Sequence, residues 1–226
     1  MATRLLLADL AAAARAAGLP ALEIESAGGV DAARRVAAGE IFDLVFLADD
    51  ALARLADDGS VEAASTRGLV VSEVAVATAS DSHSLAVDPQ KAAFADAGGV
   101  RAALRAATRI GYSTGPSGTA LVRMIDEWGM SAELGERLVQ ARPGIPVAQA
   151  LAAREVDLGF QQVSELVGQP GVRIVGTLPP DCAIVTVFAG AVASASTDPA
   201  LAARVLDFFA SDAVGQIKIG HSFRLL

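Results

Sequence analysis

The sequence predicts an α/β fold built as two lobes. Segments with helical periodicity alternate with short apolar segments along all 226 residues, a pattern typical of βα units. The strand segments are almost continuously apolar, which indicates mostly parallel sheets flanked by helices on both faces. The alternation runs through two cycles, and long apolar strands near their ends provide two hinge crossings. We therefore expect residues 1–78 plus 191–226 to form one lobe and residues 79–190 the other.

Each helix is predicted from apolar residues spaced three to four positions apart, and each strand from a short apolar run bounded by turn residues. The first cycle is predicted to contain helix 4–17, strand 22–26, helix 30–38, strand 44–47, helix 51–57, strand 69–78, a looser stretch at 80–90 and helices up to 107. The second is predicted to contain strand 109–112, helix 117–128, strand 138–140, helix 145–153, strand 157–160, a helical turn at 164–166, strands 172–175 and 184–191, and helices 199–210 and 213–219. Pro199 suits the first turn of its helix, where its missing N–H is not needed.

The composition excludes several classes of function. Hydrophobic residues make up 53% of the chain and the mean hydropathy is +0.45, which is enough for a sizeable core. No run of about 18 apolar residues occurs, so the protein is not expected to be embedded in a membrane. The formal net charge of -8, without a basic run, argues against nucleic acid as a partner. A small anion remains an acceptable ligand because it responds to the local field of its site.

The sequence predicts neither a metal site nor a cofactor. Cys182 is the only cysteine, and the two histidines, His83 and His221, lie far apart in the sequence. The chain has no Walker loop and no G-x-G-x-x-G turn, so ATP, NAD and FAD are not expected. It also lacks the G-x-S-x-G elbow of serine hydrolases. These absences favour a binding function over catalysis.

The segment 110–120 is the most informative part of the chain. It runs from an apolar strand through a turn containing Gly115, Ser117 and Thr119 into a helix. The first amides of a helix have no intrahelical acceptor and lie at the positive end of the helix dipole, so such a turn can hold an anion. A tight connection between strand and helix would need the same glycines, and both interpretations are open for this turn alone.

Three further turns have a similar position and chemistry. Gly28 and Gly29 follow the predicted strand 22–26 and open a helix. Arg142 and Ile145 precede the predicted helix 145–153, and the guanidinium group of Arg142 can bind a carboxylate through two hydrogen bonds. Gln162 follows the predicted strand 157–160, and its amide can donate and accept hydrogen bonds. Each of these turns alone could be an ordinary chain reversal, but together they favour a ligand-binding function.

Several segments resemble the molybdate-type periplasmic solute-binding proteins. The most specific is AGEIFDLVFLAD at 38–49, and the resemblance also includes Gly28–Gly29 before a helix, the turn 115–118 and the sequence LGFQQ at 158–162. The resemblance implies a type II periplasmic-binding-protein fold, in which two α/β lobes close over an oxyanion. Hydroxyl groups and backbone amides hold the anion in such proteins.

Carried over by position, the resemblance implies ligand groups near the following residues: Ala2 or Thr3, Gly28 or Gly29, Ser117, Gly144 or Ile145, and Gln162. Molybdate binders tend to carry a tyrosine where this chain has Gln162. Members usually begin with a strand and a serine turn, and this sequence begins at about that turn, so we expect that strand to be missing. An aconitate isomerase is similar to the same family.

We therefore expect a solute-binding protein that closes over a small oxyanion or carboxylate and delivers it to the membrane permease of an ABC-type transporter. The alternative is an isomerase of small unsaturated carboxylic acids, with Arg142 as the anion anchor and a carboxylate such as Glu165 as the base. The expected location is the periplasm if a signal peptide has been removed, and otherwise the cytoplasm.

Overall fold

The computed structural model describes residues 2–80, 91–142 and 144–226, and residues 81–90 of the predicted looser stretch lie outside them. In chain order the helices are α1 (Arg4–Ala16), α2 (Gly29–Ala37), α3 (Asp49–Asp57), α4 (Ala97–Ala106), α5 (Pro116–Glu127), α6 (Ser131–Leu134), α7 (Val147–Ala152), α8 (Val163–Leu166), α9 (Pro199–Ala210) and α10 (Gly215–Gly220). The strands are β1 (Leu44–Ala48), β2 (Arg67–Ala79), β3 (Ile110–Tyr112), β4 (Leu138–Gln140), β5 (Leu158–Gln162), β6 (Val172–Thr177) and β7 (Val185–Val192).

The chain divides into two compact units. Unit 1 comprises Met1–Ser72 and Thr186–Leu226, and unit 2 comprises Glu73–Val185. The divisions therefore fall within β2 and at the start of β7, whereas the boundaries predicted from the sequence lie near residues 78 and 190. Among the described residues, none of the helices is long and apolar enough to cross a bilayer.

Unit 1 packs helices against both faces of β1. This strand pairs antiparallel with β7, from Leu44 opposite Val192 to Ala48 opposite Phe188. Successive side chains of a strand point to opposite faces. The core around α2 and α3 accordingly contains Val45 and Leu47, whereas Leu44 and Phe46 pack against the core of α1 and α9. Burial of each large apolar side chain in these cores contributes about 1.5–3 kcal/mol.

Unit 2 is organised around three parallel strands. Ile110 of β3 lies opposite Leu138 of β4 on one side and Leu158 of β5 on the other. One core packs α4 and α5 against these strands, and a second packs α7 and α8 against the opposite face. A Cβ atom at Gly111 or Gly159 would lie less than 3.0 Å from the side chain of Val147 in α7. These glycines therefore allow α7 to pack closely on the sheet.

The α/β class and the order of the elements are confirmed, but three expectations of detail are wrong. The predicted strand 22–26 is not a strand, and Ile24 in it is 39% exposed. The predicted helix 145–153 begins only at Val147, because Pro146 has an extended backbone at the N-cap. The pairs β1–β7, β2–β5 and β2–β6 are antiparallel, so parallel pairing is less general than expected. An apolar strand indicates burial on both faces but does not determine strand direction.

Candidate functional site

Three helices of unit 2 begin at the same edge of its sheet. Helices α5, α7 and α8 follow the parallel strands β3, β4 and β5, and Tyr112 at the end of β3 lies opposite Gln140 and Phe160. The carboxyl ends of parallel strands are the usual position of ligand sites in α/β folds. We call this region, residues 113–119, 141–142, 144–147 and 161–165, the carboxyl edge of unit 2. It brings together the predicted residues Gly115, Ser117, Thr119, Arg142, Ile145 and Gln162.

A pair of hydroxyl groups lies at the start of α5. The Oγ atoms of Ser113 and Ser117 are 2.9 Å apart, and Ser117 is only 4% exposed. Each hydroxyl has one hydrogen, and one of the two hydrogens is used between them. The pair therefore keeps one hydrogen that can be donated to a ligand. Ser113 was not among the ligand residues predicted from the sequence, although its spacing of four residues from Ser117 across a helix start was a usable signal.

The first turn of α5 is shaped by Gly118. A Cβ atom there would lie 1.8 Å from the carbonyl oxygen of Ser113, so the turn accepts no side chain at this position. The carbonyl oxygen of Gly115 accepts the N–H groups of Gly118 and Thr119. The hydroxyl of Thr119 also points to this carbonyl, at 3.4 Å. Gly118 therefore has a structural role, while Ser117 presents its side chain and amide at the helix start.

The turn before α7 has fewer free donors than its sequence indicates. The N–H of Ile145 donates to the carbonyl oxygen of Arg142 at 3.0 Å, and the N–H of Val147 donates to Oε1 of Gln161 at 2.8 Å. Both amides therefore have acceptors within the protein. The exposed guanidinium group of Arg142 is the charged group that this turn contributes.

The end of β5 contributes two buried amides and one carboxyl group. Gln161 is 2% exposed and Gln162 is 3% exposed. Burial raises the pKa of the Glu165 carboxyl above its ordinary value. Glu165 is an acidic residue in α8, the helix that directly follows Gln162.

The candidates of unit 1 lie at the starts of α1 and α2. Thr3 is 9% exposed and its carbonyl oxygen accepts the N–H of Leu7, whereas its side chain does not cap α1. Gly28 has an extended backbone, and no described atom lies within 4 Å of the position of a Cβ atom. A Cβ atom on Gly29 would be 3.8 Å from Leu47, which is ordinary contact. The fold of unit 1 does not itself require glycine at either position, and a shared ligand with unit 2 stays a prediction.

The part of the chain that the structure describes contains neither a metal-binding cluster nor an activated thiol. No set of three or more His, Cys, Asp or Glu side chains there is arranged to hold a metal ion. Burial, with a smaller effect of Asp181, raises the pKa of Cys182 to about 11. Its thiol is therefore a poor nucleophile at neutral pH.

Solved structures with the same fold include several anion-binding proteins. The periplasmic molybdate-binding protein of Azotobacter vinelandii superposes with a TM-score of 0.76 at 17% identity, over 99% of this chain and 96% of that one. A sulfate-binding protein of Mycobacterium tuberculosis H37Rv superposes with a TM-score of 0.66 at 18% identity, over 88% of this chain and 74% of that one. At such identities the likeness shows the type II periplasmic-binding-protein fold that the sequence predicts.

Sequence comparison connects the chain with an enzyme and with a family of binding proteins. An aconitate isomerase from a Pseudomonas species is 30% identical over 177 residues, which are 78% of this chain and 65% of the isomerase. This chain therefore spans less than two thirds of the length of that relative. The family model for bacterial extracellular solute-binding proteins matches residues 1–224. The chain belongs to the family of bacterial extracellular solute-binding proteins.

Proposed function

We propose that this solute-binding protein binds a small oxyanion or carboxylate at the carboxyl edge of unit 2. The observation that carries the proposal is the hydroxyl pair of Ser113 and Ser117 at the first turn of α5. Neutral donors at a helix start attract an anion without a countercharge, since the amides and the helix dipole supply the positive potential. The molybdate- and sulfate-binding proteins of the same fold support an oxyanion as the ligand class.

The proposal is tested by ligand binding to the whole chain. Thermal-shift screening should compare molybdate, tungstate, sulfate, phosphate and di- and tricarboxylates, followed by calorimetry of the anions that stabilise the protein. An anion at 100 times its dissociation constant should add about 2.7 kcal/mol to the stability of the folded state. If no anion of this panel stabilises the protein, the proposal is wrong.

Substitution of Ser117 locates the site. Ser117→Ala removes one hydroxyl of the pair and should weaken anion binding by about 1–2 kcal/mol, or five- to thirtyfold. Ser131→Ala is the matched control, because its hydroxyl donates to Asp126 at 2.9 Å at the start of α6. If the two variants bind the anion equally tightly, Ser117 has only a structural role and the anion binds elsewhere.

We further propose that the protein delivers its ligand to the permease of an ABC-type transporter, outside the cytoplasmic membrane. The family description as extracellular supports this location. Fractionation of cells that express the full gene should recover the protein in the periplasm. Uptake of the bound anion should fall when the gene is deleted, and a cytoplasmic protein with unchanged uptake would contradict the transport role.

The second candidate function is isomerisation of a small unsaturated carboxylic acid. It is favoured by the 30% identity with the Pseudomonas aconitate isomerase. The half-buried carboxyl of Glu165 could remove a proton next to a carboxylate that Arg142 anchors. Incubation with cis- or trans-aconitate in D2O should then introduce deuterium, detected by NMR. Absence of exchange across a panel of such acids would exclude this candidate.

A further inference from the structure

Lys218 is buried in unit 1 although its side chain carries a charge. It lies in α10 and only 3% of its surface is exposed. Its Nζ atom donates to the carbonyl oxygen of Ala210, the last residue of α9, at 3.3 Å. None of the ion pairs in the described ranges of the chain includes Lys218. Lysine is almost never buried to this extent unless an opposite charge is paired with it, so the ammonium group lacks its usual partner.

A cavity of about 90 Å³ lies beside this side chain. Besides Lys218, the residues that line it include Leu69, Ser211, Asp212, Leu225 and Leu226. An ammonium group has three N–H donors, and Ala210 accepts one of them, so two are left for a partner in the cavity. Because a water molecule takes up about 30 Å³ in the liquid, the cavity has room for a ligand of several non-hydrogen atoms.

The protein compensates the buried charge only in part. The carbonyl group of Ala210 lies at the negative end of the α9 dipole and favours a cation. Asp212 is exposed, so its carboxylate is solvated and does not pair with the ammonium group. Burial lowers the pKa of Lys218, and the charge of Asp212 acts in the opposite direction with a smaller effect. An anion in the cavity would supply the missing compensation, since a buried charge is stable only when it is paired.

We propose that the cavity beside Lys218 binds a small monocarboxylate such as acetate. The two oxygens of a carboxylate can accept the two N–H groups that Lys218 has left, and the methyl group can pack against the leucines of the cavity wall. Every residue that lines the cavity belongs to unit 1, so this second site is separate from the carboxyl edge of unit 2. A ligand as small as acetate binds with a dissociation constant no lower than about 0.04 mM, and we expect millimolar affinity.

NMR of the native chain tests the site directly. The chain has two lysines, Lys91 and Lys218, so labelling with lysine enriched in carbon-13 gives two sets of side-chain signals. Lys91 is exposed and serves as the internal reference. Titration with sodium acetate should shift the Cε signal of Lys218 to saturation and leave that of Lys91 almost unchanged. An unchanged Lys218 signal would show that no carboxylate enters the cavity, and equal saturating shifts with sodium chloride would contradict a carboxylate as the ligand.

Lys218→Met removes the charge and keeps a side chain of similar length. Acetate should raise the Tm of the native chain at constant ionic strength, and most of this rise should be lost in Lys218→Met. Lys91→Met is the matched control at an exposed position and should retain the rise, as should Ser117→Ala. If the rise is lost in Ser117→Ala and retained in Lys218→Met, acetate binds only at the carboxyl edge of unit 2 and this inference is wrong while the proposed function stands. Should Lys218→Met not fold, the titration of the native chain decides alone.

Asp212→Asn tests the sign of the charge in the cavity. It removes a negative charge from the wall, so acetate should bind about two- to fivefold more tightly in the NMR titration. A cation or a zwitterion held by Asp212 would show the opposite change. Weaker binding of acetate to Asp212→Asn than to the native chain would therefore overturn the proposal.

Discussion

A methyl group at Gly118 should destabilise unit 2, and the structure indicates by how much. The added Cβ atom would lie 1.8 Å from the carbonyl oxygen and 2.7 Å from the carbonyl carbon of Ser113. Both neighbours are backbone atoms, so the end of β3 or the start of α5 must move by more than an ångström. Overpacking of this kind costs about 3 kcal/mol, and the higher helix propensity of alanine recovers about 1 kcal/mol. Gly118→Ala should therefore lower the free energy of unfolding by about 2 kcal/mol.

Trp128 gives this prediction a local assay. It is the only tryptophan of the chain and directly follows α5. Its fluorescence during urea denaturation should therefore report on unit 2. Gly115→Ala is the matched control, because Gly115 has a φ of -85° and the nearest atom to an added Cβ would be Oγ of Ser113 at 3.9 Å. The control should cost less than about 1 kcal/mol, the usual range for alanine at an N-cap. Equal urea midpoints for the two variants would refute the steric argument.

Two further predictions concern groups away from the carboxyl edge of unit 2. The Asp157 carboxylate accepts the N–H groups of Thr108 at 2.9 Å and Arg109 at 2.6 Å, so Asp157→Ala should cost about 1–3 kcal/mol in urea denaturation and leave anion affinity unchanged. A large loss of affinity would show that this end of the sheet contributes to binding. Burial raises the pKa of Cys182 from 9.0 to about 11, so the unfolded chain loses the thiol proton first and the free energy of unfolding should fall as pH rises from 9 to 11. Cys182→Ala should show a smaller fall over this range, and an identical fall would contradict the assignment.

Most of the secondary structure could be predicted from the sequence because periodicity reflects local burial. In α5, Leu121 and Ile125 are four residues apart and both are fully buried. Strand β7 was recognised because its apolar residues are packed on both faces. These signals depend on residues within one element, so a single sequence contains them.

The errors arise where structure depends on distant partners. Residues 22–26 alternate apolar and charged side chains as a strand does, but a strand also needs a hydrogen-bonded neighbour. In the described part of the chain these residues belong to no sheet. The antiparallel pairing of β1 with β7 joins residues that are far apart in the sequence. Neither feature can be derived from local periodicity.

The candidate site was predicted only at the level of its turns. The Gly/Ser pattern identified the start of α5, but the contact of Ser113 with Ser117 depends on how the turn folds back. The bond from Val147 to Gln161 joins residues on α7 and β5, and it determines which way the amide of Gln161 faces. Side-chain orientation at a site depends on such long-range contacts, which the sequence does not display.

Glycines at helix starts have two different physical causes, and the structure distinguishes them. Gly118 is required by the fold, because a side chain would overlap the backbone of Ser113. Gly28 and Gly115 have negative φ angles and space for a Cβ atom, so neither conformation nor packing within their units demands glycine. Because these two residues have no side chain, the backbone at the helix start is uncovered and an anion can approach it closely. Of the glycines in the α5 turn, Gly115 is therefore the better candidate for ligand contact, and Gly118 holds the hydroxyl pair in position.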